Sequence, residues 1–227
     1  MSNLAEGLNA IAKRALENVK PNFLIGLGSG STVAVFTNAL REFVREKRME
    51  VRVIPSSTQI QLACEAAGLQ LAAPSLTPYI DLTVDGADQI DKRFNMIKGG
   101  GGALFRERIL ISSAKKNVIL ADESKFVNVL DMPVPIEVHP FGRAFVEHRL
   151  KSLGRKPHLR LEDKGYPFFT ENGNVIFDTD FGLVEKPAEL RTELRALPGV
   201  IEVGLFDEKV AAFYRARNDG SVDVIRP

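Results

Sequence analysis

Phe23-Leu24-Ile25-Gly26-Leu27-Gly28-Ser29-Gly30-Ser31-Thr32 opens as a short apolar strand, turns on alternating glycines, and runs into a helical pattern through Val33, Phe36, Leu40 and Val44. A buried strand that breaks on glycine and resumes as a helix is the repeating unit of an α/β fold. Upstream, Leu4, Leu8, Ile11, Ala12, Ala15, Leu16 and Val19 recur at helical spacing until Pro21 ends the pattern.

Downstream the alternation continues. Val51 to Ile54 reads as a strand, Ser57 to Ala67 as a helix closed by Gly68, and Leu69 to Leu71 as a strand. Ile80 to Val84 is a further strand, Ala103 to Ala114 a helix, and Val118 to Leu120 a strand. Such alternation implies a parallel sheet covered on both faces.

After Pro133 and Pro135 the pattern changes. A strand near Ile136 to Val138 is followed by a helix near Phe141 to Leu153, a strand near His158 to Leu161, and a hairpin. In the hairpin Phe168-Phe169 and Val175 to Phe177 flank the turn Asn172-Gly173. A helix from Pro187 to Leu197 and a strand at Val200 to Val203 complete a β-α-β-β-α-β order. Val210 to Tyr214 and Val222 to Ile225 read as a final strand pair that returns to the first domain. The expected fold class is therefore α/β. Residues 1–132 and 206–227 are expected to form a Rossmann-like parallel-sheet domain, and residues 133–205 a smaller, ferredoxin-like α+β domain.

Composition narrows the function classes. With 227 residues, 44% hydrophobic and 26% charged, the chain can bury a core without staples. Thirty basic residues against 29 acidic ones give a net charge of +1, so no global field draws the chain to nucleic acid or an anionic membrane, and an anion needs a local site. The single Cys64 cannot form an internal disulfide and sits in an apolar-periodic stretch, as a small buried hydrophobe does. The N-terminus lacks a basic region followed by an apolar one, and no uncharged run is long enough to span a membrane, from which a cytoplasmic protein is expected. His139, His148 and His158 lie apart from Cys and carboxylate clusters, so no metal site and no metal cofactor are expected.

Four segments can carry chemistry. In the turn from Gly26 to Thr32, backbone N–H groups at a helix start favour an anion, and Ser29, Ser31 and Thr32 add hydroxyl donors around Gly30. It lacks the lysine of a Walker A loop, and Ser31 replaces the third glycine of a dinucleotide fingerprint. A tight turn with a hydroxyl N-cap is the alternative. In Asp85-Gly86-Ala87-Asp88, the two carboxylates lie at or beyond the end of a strand, where open α/β sheets place ligands. They can converge on one small ligand, cap a turn, or hold a divalent metal.

Lys98-Gly99-Gly100-Gly101-Gly102 leads into a helix bearing Glu107. Glycine backbone amides beside a fixed lysine can line an oxyanion or phosphate, although a flexible linker has the same composition. By spacing alone Glu107 is one of many helix charges, and Lys125, in Ala121-Asp-Glu-Ser-Lys125 after a strand, is a surface lysine at the same crevice.

Together, GLGSGST at 26–32, DGAD at 85–88, KGGGGALFRE at 98–107 and ADESK at 121–125 resemble, in order and spacing, the motif series of type A ribose-5-phosphate isomerases. The likeness extends through PVPIEV at 133–138 to PGVIEVGLF at 198–206. The resemblance implies cofactor-free interconversion of ribose 5-phosphate and ribulose 5-phosphate, a step of the non-oxidative pentose phosphate pathway. It puts Glu107 at the general-base position, Lys98 at the oxyanion, and Asp85 and Asp88 where sugar hydroxyls and ring opening are handled. Ser29, Gly30, Ser31, Thr32, Gly86, Ala87, Gly99, Gly100, Gly101 and Lys125 fall at substrate-contacting positions. The resemblance further implies a homodimer or tetramer whose partner is a small sugar phosphate. Two departures stand out: Gln89 replaces a common Glu, and Leu8-Asn9 replaces an early lysine pair, for which Lys13 is a candidate substitute. Another enzyme of the wider sugar-phosphate isomerase, deaminase and CoA-transferase-like fold group and a non-enzymatic sugar-phosphate sensor are the alternatives.

Overall fold

The computed structural model describes residues 2–227, with side chains from Ala5 onward, so Leu4 as a core residue lies outside the described side chains. In chain order the elements begin with α1 (Ser2–Ala15), β1 (Leu24–Leu27), α2 (Ser31–Lys47), β2 (Arg52–Pro55), α3 (Thr58–Ala66), β3 (Gln70–Leu71) and β4 (Leu82–Gly86). Next come β5 (Gln89–Ile90), β6 (Met96–Ile97), α4 (Leu104–Ser113), β7 (Asn117–Asp122), β8 (Val134–Val138), α5 (Arg143–Ser152) and β9 (Lys156–Leu159). The last are β10 (Val175–Asp180), α6 (Pro187–Arg195), β11 (Val200–Val203), β12 (Leu205–Phe206), β13 (Ala212–Ala216) and β14 (Val222–Ile225). The chain divides into two compact units. The first holds the residues through Ala87, Arg106–Lys125 and Glu208–Pro227; the second holds Asp88–Phe105 and Phe126–Asp207.

In the first unit seven strands run in the order β14-β13-β7-β4-β1-β2-β3, parallel except for β14 against β13. The strands are short and apolar because both faces are covered. Ile25, Leu27, Leu82, Val84, Val118 and Leu120 point to one face and meet Ile11, Ala15, Phe36, Leu40, Ile60 and Cys64 from α1, α2 and α3. Leu24, Ile54 and Ile80 meet Leu110 of α4 in a smaller cluster. The Ser57 hydroxyl caps α3 by accepting from the Ile60 N–H at 3.3 Å. Tyr214 of β13 is fully buried; its hydroxyl donates to Glu17 at 2.6 Å and accepts from Asn18 at 2.8 Å, tying the final strand pair to the chain that follows α1.

In the second unit β11-β8-β10-β9 form an antiparallel sheet. In their own chain order these are strands 4-1-3-2 of a β-α-β-β-α-β unit, the ferredoxin-like arrangement expected from the sequence. Val134, Ile136, Val138, Phe177 and Val203 pack with Val146 and Leu150 of α5 and Leu194 of α6. The protein is thus α/β, a Rossmann-like parallel sheet with a smaller ferredoxin-like unit.

One expectation is corrected. The hairpin around Asn172-Gly173 exists only as a closed loop, joined by the single bridge Phe169–Val175, and β10 pairs with β9 and β8 instead. The chain after β9 runs between the two arms: the Phe168 N–H donates to the Arg160 carbonyl at 2.9 Å, and the Arg160 N–H donates to the Ile176 carbonyl at 2.8 Å. The loop is drawn inward by the buried Glu137 carboxylate, which accepts from Thr170 at 2.9 Å, Asn172 at 3.2 Å and Asn174 at 2.8 Å. The division into compact units differs from the expected boundary at 132/133 in that residues 88–105 and 126–132, and 206–207 at the other end, group with the second unit. The cause is a small sheet, β12-β6-β5, whose two-residue strands are too short to show a period in the sequence. Ile97, Leu130 and Leu205 bury themselves in the second core.

Candidate active site

The sheet order sets β7, β4 and β1 side by side, so their C-terminal ends share one edge of the first unit. Gly28 to Thr32 follow β1, Asp85 and Gly86 end β4, and Lys125 lies in the short turn Glu123–Lys125 after β7, half-buried. These segments from three separate stretches of sequence meet where parallel sheets bind their ligands.

Glu107 is buried, at 4% exposure, and not the solvated helix charge its spacing suggested. Its Oε1 accepts from the Ser29 hydroxyl at 2.7 Å and from the Ser29 N–H at 3.3 Å. A carboxylate inside the fold, oriented by an O–H and an N–H, is a positioned proton acceptor. Its neighbour Arg108 forms an ion pair with Glu208.

Asp85 is fully buried and accepts the Gly86 N–H at 2.7 Å. Gly28 presses against it: a Cβ at Gly28 would stand 1.7 Å from Asp85 Oδ1. Gly30, at φ +93°, is the N-cap of α2 and supplies no side-chain cap, so the hydroxyl-capped alternative for this turn does not describe it. Ser31 and Thr32 occupy the first helical positions, at the positive end of the helix dipole.

Ala87 follows Gly86 in the first unit, and the second unit holds Asp88, Lys98 and the glycines from Gly99 to Gly101. Lys98 is 2% exposed; its N–H donates to the Gly204 carbonyl at 3.0 Å and its ammonium lies 5.5 Å from the Phe206 ring centroid. The four glycines form an ordered turn rather than a linker. Gly99 and Gly102 have φ of +113° and +77°, which only glycine adopts without strain, and the Gly102 N–H donates to the Gly99 carbonyl at 3.0 Å. The Gly100 N–H donates to Asp88 Oδ2 at 2.8 Å, so the second carboxylate of the DGAD segment is held by the glycine turn.

Gln89, beside Asp88, is structural. Its amide donates to Asp131 Oδ1 at 2.6 Å and accepts from the N–H groups of Asp131 at 2.8 Å and Met132 at 3.2 Å. Lys13 is exposed in the last turn of α1. Cys64 is core, and burial with the nearby Glu65 charge pushes its thiol up to about 11. Sequence reasoning missed Gly28 as a spacing residue for Asp85, although it stood in the glycine motif. It also missed a role for Gly204, which stands in the PGVIEVGLF segment and at which an added Cβ would lie 2.3 Å from the Lys98 carbonyl. Among the described residues no three His, Cys, Asp or Glu side chains gather to hold a metal ion, and no helix is long and apolar enough to cross a membrane.

Residues 52–220 match the family model described as ribose 5-phosphate isomerase A (phosphoriboisomerase A). A protein of Archaeoglobus fulgidus named ribose-5-phosphate isomerase A is 44% identical over 204 residues, covering 88% of this chain and 89% of its own. One of the same name from Sphingopyxis alaskensis is 40% identical over 225 residues, 96% of each chain. Among solved structures, ribose 5-phosphate isomerase A from Methanocaldococcus jannaschii superposes with a TM-score of 0.92 at 33% identity, over 99% of this chain and 100% of that one. A D-ribose-5-phosphate isomerase in complex with phospho-erythronic acid gives 0.93 at 34% identity, over 98% and 99%. A family match across most of the chain, relatives at this identity over nearly their full length, and a buried carboxylate oriented by the glycine-rich turn agree, and the chain belongs to the ribose 5-phosphate isomerase A family.

Proposed function

We propose that the protein interconverts D-ribose 5-phosphate and D-ribulose 5-phosphate by proton transfer through an enediolate, with Glu107 as the base. The observation that carries this is the Ser29 hydroxyl and N–H on Oε1 of a buried Glu107, which leaves the carboxylate fixed in orientation. Asp85 and Asp88 handle the sugar hydroxyls and the opening of the ring. In the open-chain aldose, Glu107 takes the C2 proton; the C–H electrons form the C1–C2 double bond and O1 becomes an oxyanion. The Lys98 ammonium stabilises that charge. As the O2 proton passes to O1, Glu107, whose carboxylic proton exchanges with solvent in the enediolate state, delivers a proton to C1 and the carbonyl is left at C2.

The turn from Ser29 through Gly30 and Ser31 to Thr32 at the start of α2, the segment Gly86-Ala87, the glycines from Gly99 to Gly101, and Lys125 are the substrate and phosphate contacts in this proposal. Helix dipole, backbone amides and lysine charge are the groups that recognise a phosphate. The proposal needs no cofactor and no metal. It extends to a homodimer, or a tetramer, in the cytoplasm. Exposed Phe141 and Phe145 on the second unit give apolar surface of the kind an interface covers. Sedimentation velocity is expected to give at least twice the chain mass, and a monomer at micromolar concentration would remove that part.

The mechanism is tested by running ribose 5-phosphate in D2O and following the products by NMR. Ribulose 5-phosphate carrying solvent deuterium at C1 is the expected result. Absence of the ketose, or C2-to-C1 transfer with no solvent exchange at any extent of reaction, overturns it.

A further inference from the structure

Arg160 follows β9 in the second unit, far in sequence from every motif that carries the family resemblance. Its guanidinium is committed on two sides. Nε and Nη2 bond both oxygens of the Asp178 carboxylate, at 2.8 and 2.5 Å, and Nη1 donates to the Gly99 carbonyl at 2.7 Å and the Gly100 carbonyl at 3.1 Å. The guanidinium carbon also lies 5.8 Å from the Phe168 ring centroid. Phe168 in turn fills the space beside Gly102, where a Cβ would come within 2.5 Å of the ring.

Consecutive glycines have the widest choice of backbone conformation, so a turn built from them holds one geometry only when something outside fixes it. Here the fixing group is identified. The Gly100 residue is gripped at both ends, its carbonyl by Arg160 and its N–H by Asp88. Lys98 is joined directly to this turn. Arg160 is the suitable residue because its planar fork serves a bidentate carboxylate and two carbonyls together, which a lysine ammonium cannot do in that geometry.

On the assignment of the glycine turn and Asp88 to the substrate site given above, we propose that Arg160 and Asp178 form a positioning pair that sets the glycine turn and, through Gly100, the Asp88 carboxylate for the isomerisation. Neither side chain is assigned a contact with substrate; they act through the backbone they hold.

The experiment compares wild type, Arg160→Ala, Arg160→Lys and Asp178→Asn, with Glu107→Gln alongside, for kcat, KM and melting temperature, assayed at least 15 degrees below the lowest melting point. Arg160→Ala is expected to lose roughly 10- to 100-fold in kcat/KM, and added methylguanidinium is expected to restore part of it at unchanged protein stability. Arg160→Lys is expected to fold and stay impaired, which keeps the test valid if the alanine variant does not fold. Wild-type kcat/KM in Arg160→Lys, or losses that follow melting temperature alone with no recovery from methylguanidinium in a folded Arg160→Ala, overturn the positioning role. A wild type that does not isomerise ribose 5-phosphate points instead to failure of the underlying functional assignment.

Discussion

Gly28 and Asp85 are packed so closely that a methyl group on the glycine would lie 1.7 Å from the aspartate Oδ1. The contact joins the turn after β1 to the end of β4, and the missing side chain at position 28 lets the carboxylate occupy its buried place. Gly28→Ala must push Asp85 aside, and a displacement near 1 Å costs on the order of 10²-fold in rate. A kcat/KM within threefold of wild type in the folded alanine variant would show that Asp85 needs no such fixed position.

Ser29 supplies the 2.7 Å hydrogen bond to Glu107 Oε1. Bonds of this kind to a charged group contribute about 1.5–3 kcal/mol, so Ser29→Ala is expected to lower kcat roughly 10- to 100-fold. Steady-state kinetics check this, and an effect confined to KM would mean that the serine binds substrate without orienting the base.

At position 89 the structure shows why Gln suits this chain. The Gln89 amide donates to Asp131 at 2.6 Å. Gln89→Glu would set two carboxylates face to face and is expected to cost about 1–3 kcal/mol at pH 7. The deficit should shrink as pH falls towards the carboxylate range, because protonating either acid restores a donor. Urea midpoints at pH 7 and 4.5 measure it; equal deficits at both pH values would argue against the carboxylate clash.

Burial pushes the Cys64 thiol up to about 11, with a smaller push from Glu65. Burial also pushes the Tyr214 hydroxyl up to about 12, followed by its hydrogen bond to Glu17. Both groups are held neutral in the folded chain and titrate near 9.0 and 10.0 when unfolded. Their contribution is therefore complete below pH 9 and is lost as pH rises through the folded values. Melting temperature should fall steadily above pH 9, less so in Cys64→Ala than in wild type, and at pH 8 the native thiol should resist alkylation until denaturant is added. Prompt stoichiometric labelling of the native chain would contradict the buried assignment.

The legible parts of this fold are those with a long period. The alternation around Leu24, Val53, Val84 and Val118 marks the parallel sheet because both faces are buried, and the β-α-β-β-α-β order marks the small unit. Two-residue strands such as Met96–Ile97 and Leu205–Phe206 leave no period to detect, so nothing in the pattern groups residues 88–105 with the second unit. In the site, Asp85 and the glycine motifs were visible by spacing at a strand end. Glu107 was not: whether a helix charge flanked by Arg106 and Arg108 reaches the turn after β1 depends on which helix face meets that turn, and only the family resemblance singled it out. Arg160 left no local signal, since the backbone it holds lies some 60 residues away, and Asp178 bonds only that guanidinium in the arrangement described.

The most direct test of the central claim is conversion of ribose 5-phosphate to ribulose 5-phosphate in the presence of a chelator, with wild type and Glu107→Gln compared at equal melting temperature. Sustained metal-independent turnover by wild type and a loss of roughly 10²–10⁴-fold in kcat for the variant are predicted. Turnover that survives Glu107→Gln, or a wild type inactive on ribose 5-phosphate, would contradict it.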